Sequence, residues 1–328
     1  MFFYVCFLFL LLVILLAVST TKANLNHKDF RWAGTKNPSN SSASICSFSS
    51  EGDFGKYVKV EKRSEYYTKD CPLVASRFKK CSTEGYAWQN PIDCELLEIS
   101  AFTEYFRNRT LILWGDSLTE QLSGSLLCLL SDRNTWYKKG RSSLEMIRKR
   151  RYCFLVLNNI KICFVYSSNP QKNLEYVRDL QNADALVVAN FGVHYNKKKF
   201  RRDEIALKRD IEEFSAKISK FTSKIIWRET SAQHFSTEDG SFSFQVRKRS
   251  GKYLKCQPSS NQRRGWRNDV TTPLMERVTP YVLKIGAFST FIPPSLHRGG
   301  NDCTHFCNPG VTDDWSRILM NYIYAHNI

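Results

Sequence analysis

The sequence predicts an α/β fold: a mostly parallel sheet with helices on both faces, joined to a disulfide-stapled N-terminal segment. Three observations carry this. Short strand-like runs, Leu111–Trp114, Ala185–Ala189 and Lys224–Trp227, alternate with longer amphipathic stretches, as strands do when each crosses to the next through a helix. Hydrophobic residues make up 42% of 328, enough for a sizeable core. Of 11 cysteines only Cys6 lies in the apolar N-terminus, and the even number that remains reads as disulfides in an oxidising compartment.

Taken in order, residues 1–23 form an export segment, a signal peptide or a signal anchor. Phe2–Val18 is almost unbroken apolar sequence, between a signal-peptide core and the roughly 20 residues of a bilayer crossing. Residues 24–45 are polar and without periodicity, a flexible stem. The segment 46–100 holds four cysteines and many aromatics but few apolar runs, so it must be stapled to the body that follows. The body, 101–328, carries the alternating strands and helices and is where any catalytic site is expected. It opens with strand Leu111–Trp114 and helix Leu118–Leu130. The runs Tyr152–Leu157 and Ile160–Tyr166 flank Asn158-Asn159, a hairpin signal. Then come helix Leu174–Gln181, strand Ala185–Ala189, and helix Asp203–Phe221, with Ile205, Leu207, Ile211, Phe214 and Ile218 at mostly helical spacing. Strand Lys224–Trp227, a helical Leu274–Leu283, an extended Phe288–Ile292 and a closing helix Val311–Ala325 complete the expectation.

A formal net charge of +17 points, in a secretory lumen, to acidic glycans, phosphorylated donors or membrane surfaces rather than nucleic acid. The basic runs are 148–151, 197–202, 247–252 and Arg263-Arg264-Gly265-Trp266-Arg267; only the last interleaves an aromatic, which makes it the run to test for ligand contact. Sequons stand at Asn40 and Asn108. No cysteine spacing suggests a zinc site.

In a parallel sheet, ligands bind past the carboxyl ends of the strands, where Ser117, Asn190 and Arg228 fall together. Gly115-Asp116-Ser117 ends the first strand of the body. Its bland reading is a turn in which Asp116 or Ser117 caps the helix. For Ser117 to be a nucleophile it needs a base. Asp302 and His305, three apart on a tight turn between Cys303 and Cys307, supply one: the carboxylate fixes the imidazole and the imidazole takes the serine proton.

Gly115-Asp116-Ser117 and the run from Asp302 to Val311 resemble the two signature blocks of the trichome-birefringence-like (PC-esterase) family. That family comprises polysaccharide O-acetyltransferases of the SGNH hydrolase superfamily, with a flavodoxin-like three-layer sandwich. Asp70-Cys71-Pro72, Cys81 and Asp93-Cys94 are similar to its cysteine-rich segment. Asn190-Phe191-Gly192-Val193-His194 and the block Arg228, Ser231, His234, Phe235 are similar to two more. Departures are Thr119-Glu120 in place of a Ser-Arg pair, Ala232 in place of Pro, Phe306 in place of Trp, and an altered segment 293–298.

The resemblance implies Ser117, His305 and Asp302 as the catalytic triad, and Asp116 as a brace for the turn. Backbone N–H groups from Ser117 and Gly192, with the Asn190 side chain, are expected as the oxyanion hole, and His194, Arg228 and His234 as shapers of the acceptor groove. It also implies pairings Cys46–Cys94, Cys71–Cys128, Cys81–Cys307 and Cys256–Cys303; Cys153 and Cys163 are left to bridge each other or stay free. The activity implied is acetyl transfer to a polysaccharide hydroxyl, with an acidic glycan as one acceptor class. No cofactor is expected to be bound, and acetyl-CoA is the simplest donor. The setting implied is the Golgi lumen or membrane, or secretion, with membrane contact only through an uncleaved N-terminal segment. Acetyl removal by an esterase on the same scaffold, and an inactive glycan-binding protein, are the alternatives.

Overall fold

A computed structural model describes residues 44–49, 54–60, 85–91, 93–131, 150–181, 184–196, 202–221, 223–243, 255–258, 265–299, 302–308 and 310–328. The export segment, all of the stem before Ser44, Cys71, Cys81, the Asn40 sequon and the runs 197–201 and 247–252 lie outside these residues. So do residues 148 and 149 of the first basic run and 263 and 264 of the last.

The described chain begins with two short strands, β1 (Ser44–Ile45) and β2 (Lys56–Lys59), followed by β3 (Tyr86–Gln89) and β4 (Cys94–Glu95). β1, within the expected stem, pairs with β4, and the Cys46–Cys94 disulfide closes the same junction. β2 pairs antiparallel with β3. Phe48, Phe54 and Trp88 are buried, and Phe54 stacks on Phe288 at 5.5 Å. The aromatics of this segment thus find their apolar partner in the body, as a segment too small for its own core must.

Helix α1 (Ile99–Tyr105) leads into β5 (Thr110–Gly115), which is buried along its whole length. Helix α2 (Ser117–Leu130) follows after a single residue. Strands β6 (Arg151–Leu155) and β7 (Lys161–Tyr166) form the expected hairpin; Asn158 and Asn159 both take positive φ, 54° and 58°, which asparagine tolerates. Cys153 faces Cys163 across it and the two are bonded. Helix α3 (Leu174–Leu180), β8 (Ala185–Asn190), helix α4 (Arg202–Ile218) and β9 (Lys224–Arg228) come next. After them stand helix α5 (Trp266–Met275), β10 (Val282–Leu283), helix α6 (Ile285–Ser289), β11 (His297–Gly299), β12 (Asp302–Phe306) and helix α7 (Val311–Ala325).

Six strands make the main sheet in the order β10-β9-β8-β5-β7-β6, parallel except for the β6–β7 edge. Alternate residues of β5 divide between two cores. Leu111 and Leu113 join one with α2 and α7, while Ile112 and Trp114 join the other with Leu207, Ile211 and Phe214 of α4. Both faces are therefore covered, which explains why the central strands read as continuous apolar runs.

Two expected elements are corrected. Leu274–Leu283 is the end of α5 and then strand β10, not one helix; Pro280 disfavours helical geometry at Thr279, and Val282 pairs with Trp227 at the sheet edge. Phe288–Ile292 is not extended: α6 covers Ile285–Ser289, and buried Ile285, Phe288 and Ile292 follow helical spacing.

Cys256–Cys303 is bonded as expected. Cys128 and Cys307 are also in disulfides, and the Cys71 and Cys81 partners expected for them lie outside the described residues. Disulfides on this scale are consistent with the secretory pathway.

Candidate active site

The turn between β5 and α2 admits only glycine at 115. A Cβ there would lie 2.4 Å from the Asn190 carbonyl oxygen and 2.5 Å from Thr119 Oγ1. Asp116 is the N-cap of α2: its Oδ1 accepts from the N–H groups of Leu118 at 3.0 Å and Thr119 at 3.5 Å. The cap is therefore Asp116, and the Ser117 hydroxyl is left for another partner. That partner is His305 Nε2, 2.7 Å from Ser117 Oγ.

His305 lies on β12, where the tight turn expected around it is a short irregular ladder with β11. Asp302 bends this strand locally. Its Oδ1 accepts from the backbone N–H groups of Thr304 at 3.2 Å and His305 at 3.0 Å. Its carboxylate also meets His305 Nδ1 at 2.9 and 3.0 Å. A carboxylate only accepts, so Nδ1 carries the hydrogen, and Nε2 turns its lone pair to the serine hydroxyl. Burial opposes the Asp302 charge, but hydrogen bonds from the His305 side chain and from these backbone groups prevail and push its pKa down to about 2.

The register places Gly115 opposite Asn190 on parallel strands, so Ser117 and Gly192, two residues further along each, reach the same edge of the sheet. Among the described residues, the backbone N–H groups of Ser117 and Gly192 donate to no protein acceptor. Gly192 is hemmed in as Gly115 is: a Cβ would meet Thr230 Oγ1 at 2.1 Å.

Asn190 departs from the expected oxyanion role. It is fully buried; its Nδ2 donates to the Arg228 carbonyl at 2.8 Å and to Thr230 Oγ1 at 3.1 Å, and its Oδ1 accepts from Arg228 Nη2 at 2.9 Å. Since a guanidinium only donates and a carbonyl only accepts, this orientation of the amide is fixed and both its hydrogens are engaged. Arg228 is likewise enclosed, its Nη2 also donating to Thr119 Oγ1 at 3.2 Å and its charge lying 5.5 Å from the Trp315 ring. It braces the first turn of α2 from below and lines no groove. His234 is buried too, with Nδ1 2.6 Å from His297 Nε2.

Of the three expected groove residues, His194 alone is exposed. Its Nε2 lies 3.4 Å from Tyr166 Oη, the Arg150 guanidinium stacks 3.3 Å over the Tyr166 ring, and Arg150 pairs with Glu120. Partial burial, then the charges of His305, Arg150 and Arg267, hold the His194 pKa below its ordinary value against the pull of Asp116. Arg267 is itself buried among neutral acceptors, the Tyr195 carbonyl, Ser241, Asn196 and Gln233, so it fastens loops rather than meeting a ligand.

Sequence reasoning missed Gln121, one turn beyond Ser117. Its Nε2 donates to the Phe306 carbonyl at 2.7 Å and its Oε1 accepts from the Phe306 N–H at 3.2 Å, tying the serine helix to the histidine strand. Only its place one turn after Gly-Asp-Ser could have hinted at this, since its partner is 185 positions away.

No family model matches the chain. A protein of Arabidopsis thaliana, trichome birefringence-like 14, is 35% identical over 100 residues, 27% of this chain and 23% of the relative. The match thus spans about a quarter of that relative's length. Over that quarter the chain is distantly homologous to this trichome birefringence-like protein.

Proposed function

We propose that the chain is a polysaccharide O-acetyltransferase working through a Ser117-linked acyl-enzyme. The observation that carries the reading is the Asp302–His305–Ser117 chain of hydrogen bonds, with His305 Nε2 2.7 Å from the serine oxygen. His305 takes the hydroxyl proton as Ser117 Oγ attacks the acetyl carbonyl carbon, then returns it to the leaving group as the bond to the donor breaks. In the second half, His305 takes the proton of a sugar hydroxyl as its oxygen attacks the acyl carbon, then gives that proton to Ser117 Oγ as the bond from Ser117 to the acetyl group breaks. The N–H groups of Ser117 and Gly192 hold the oxyanion, each such donor being worth about 3–4 kcal/mol. This SGNH-type arrangement needs no bound cofactor; acetyl-CoA is the simplest donor. The acceptor is a cell-wall or secreted glycan, and the setting is the Golgi or the space beyond it.

The test is to incubate the purified chain with an acetyl donor and a panel of unacetylated glycans, following transfer and donor hydrolysis together. Transfer that disappears in Ser117→Ala is expected. Release of acetate from acetylated glycans with no transfer at all would make it an esterase, and full turnover by Ser117→Ala would remove the nucleophile assignment. Asp302→Asn should slow turnover about 10²–10⁴-fold.

A further inference from the structure

We infer that His297 is a positioning residue for His305, acting as a neutral imidazole that donates to the His305 backbone and is itself oriented by His234. The inference rests on the proposed roles of Ser117 and His305 and names how that site is held.

His297 is on β11, 3% exposed, with its ring stacked 4.4 Å from that of Phe306. It stands between two partners. Its Nδ1 lies 3.1 Å from the His305 carbonyl oxygen, and its Nε2 lies 2.6 Å from His234 Nδ1. On the far side, His234 Nε2 lies 3.4 Å from the Thr290 carbonyl oxygen. The row thus runs carbonyl, imidazole, imidazole, carbonyl, with three contacts. Carbonyls supply no hydrogen, so three hydrogen bonds need three imidazole hydrogens, and two neutral rings have two.

The longest contact marks the one without a hydrogen. At 3.4 Å, the Thr290 end is beyond the usual N–H···O range, whereas the other two are within it or shorter. The hydrogens therefore sit on His297 Nδ1 and His234 Nδ1. A third would make the pair a cation with no carboxylate among its hydrogen-bond partners in the described residues. Burial disfavours that, holding the His234 pKa below its ordinary value and, with the neighbouring His234, pushing that of His297 down to about 3.

The consequence falls on one peptide group. The bond between His305 and Phe306 is held on its carbonyl side by His297 and on its N–H side by Gln121 Oε1 at 3.2 Å. Fixing that plane fixes where the His305 ring leaves the strand, and so its 2.7 Å approach to Ser117. Placement errors of this kind are costly: about 1 Å can lower a rate on the order of 100-fold.

The experiment uses the full chain and a fluorophosphonate probe, which labels an activated serine without any knowledge of the acceptor. Ser117→Ala first establishes that labelling reports Ser117. His297→Phe keeps a flat ring and removes the donor; its labelling rate constant should fall about 10–100-fold with the half-saturating probe concentration unchanged. His297→Asn, which places an amide N–H near the Nδ1 position, should recover a large part of the loss. A wild-type rate in His297→Phe, or an equal loss in both variants, overturns the inference. Should His297→Phe fail to fold, ¹⁵N-histidine NMR of the wild type decides, helped by there being six histidines to assign. Hydrogen on His297 Nδ1 with a bare Nε2 is expected, and the opposite tautomer refutes it. Labelling that survives in Ser117→Ala would instead count against the nucleophile, while the tautomer still tests the histidine pair.

Discussion

Asp302 and His297 lie five positions apart in the chain, yet acid should act on them over different ranges. A buried histidine held neutral below its ordinary pKa binds its proton first in the unfolded chain. His297 therefore contributes stability that falls as pH drops from about 6.5 towards about 3. Asp302 is the reverse type of group, a carboxylate held ionised by its bonds. Its contribution is complete above about 4 and is lost as pH falls towards about 2. Urea unfolding across this range should separate them: His297→Gln should flatten the upper limb of the stability curve and Asp302→Asn only the lower. The same limb flattened by both would contradict these assignments. Asp302 is a third exposed at its side chain, so solvent screening keeps its share modest.

Between elements, the decisive contact is Gln121 of α2 against the backbone of β12. Gln121→Leu preserves size and apolar packing but strands a buried N–H and a buried C=O of Phe306. Each unsatisfied group costs about 1–3 kcal/mol, so for the two a loss of roughly 2–6 kcal/mol in chemical denaturation is expected. On the proposed mechanism, turnover should fall further than the folded fraction does; a stability loss with an unchanged specific activity would reduce Gln121 to a packing residue. Elements of this kind were unevenly legible in the sequence. Strands β5, β8 and β9 announced themselves because both of their faces are buried, and Ser117, Asp302 and His305 because their residue types are costly to place without a use. The roles of Asn190, Arg228 and His234 were hidden. Each has the residue type of a groove lining, but Asn190 and Arg228 bind each other across 38 positions and His234 binds His297 across 63. Short-range spacing carries no trace of such pairings. The stretch 274–292 misled for a related reason: its apolar spacing fits a helix or a buried strand equally well until Pro280 and the edge of β9 decide.

Across the whole molecule, disulfides divide into those that close a local hairpin and those that join distant segments. Cys153–Cys163 spans 10 positions and Cys256–Cys303 spans 47. Chain entropy assigns them about 3 and about 4 kcal/mol respectively. Their effects on the site should differ more than these figures. Cys303 lies between Asp302 and Thr304 on β12, and its carbonyl accepts from the His234 N–H at 3.0 Å. The double variant Cys256→Ser, Cys303→Ser should therefore lose fluorophosphonate labelling at temperatures where it is still folded. Cys153→Ser, Cys163→Ser, at the far edge of the sheet, should lower the melting temperature and keep labelling. Equal labelling in both would detach the site from the long-range bridge.

On the proposed function, the enclosure of Asn190 and Arg228 bears on any attempt to redirect this protein to a new acceptor. Substitutions at those two positions would alter the spacing of β8, β9 and α2, so a library built on them would mostly select for repair of the scaffold. Among the described residues, His194 is open to solvent at the edge of the sheet that carries Ser117, and Glu120 and Arg150 are half-buried there, partly shielded by each other. Acceptor preference is therefore best retuned there, where a change of charge can be made without disturbing the turn that carries the serine.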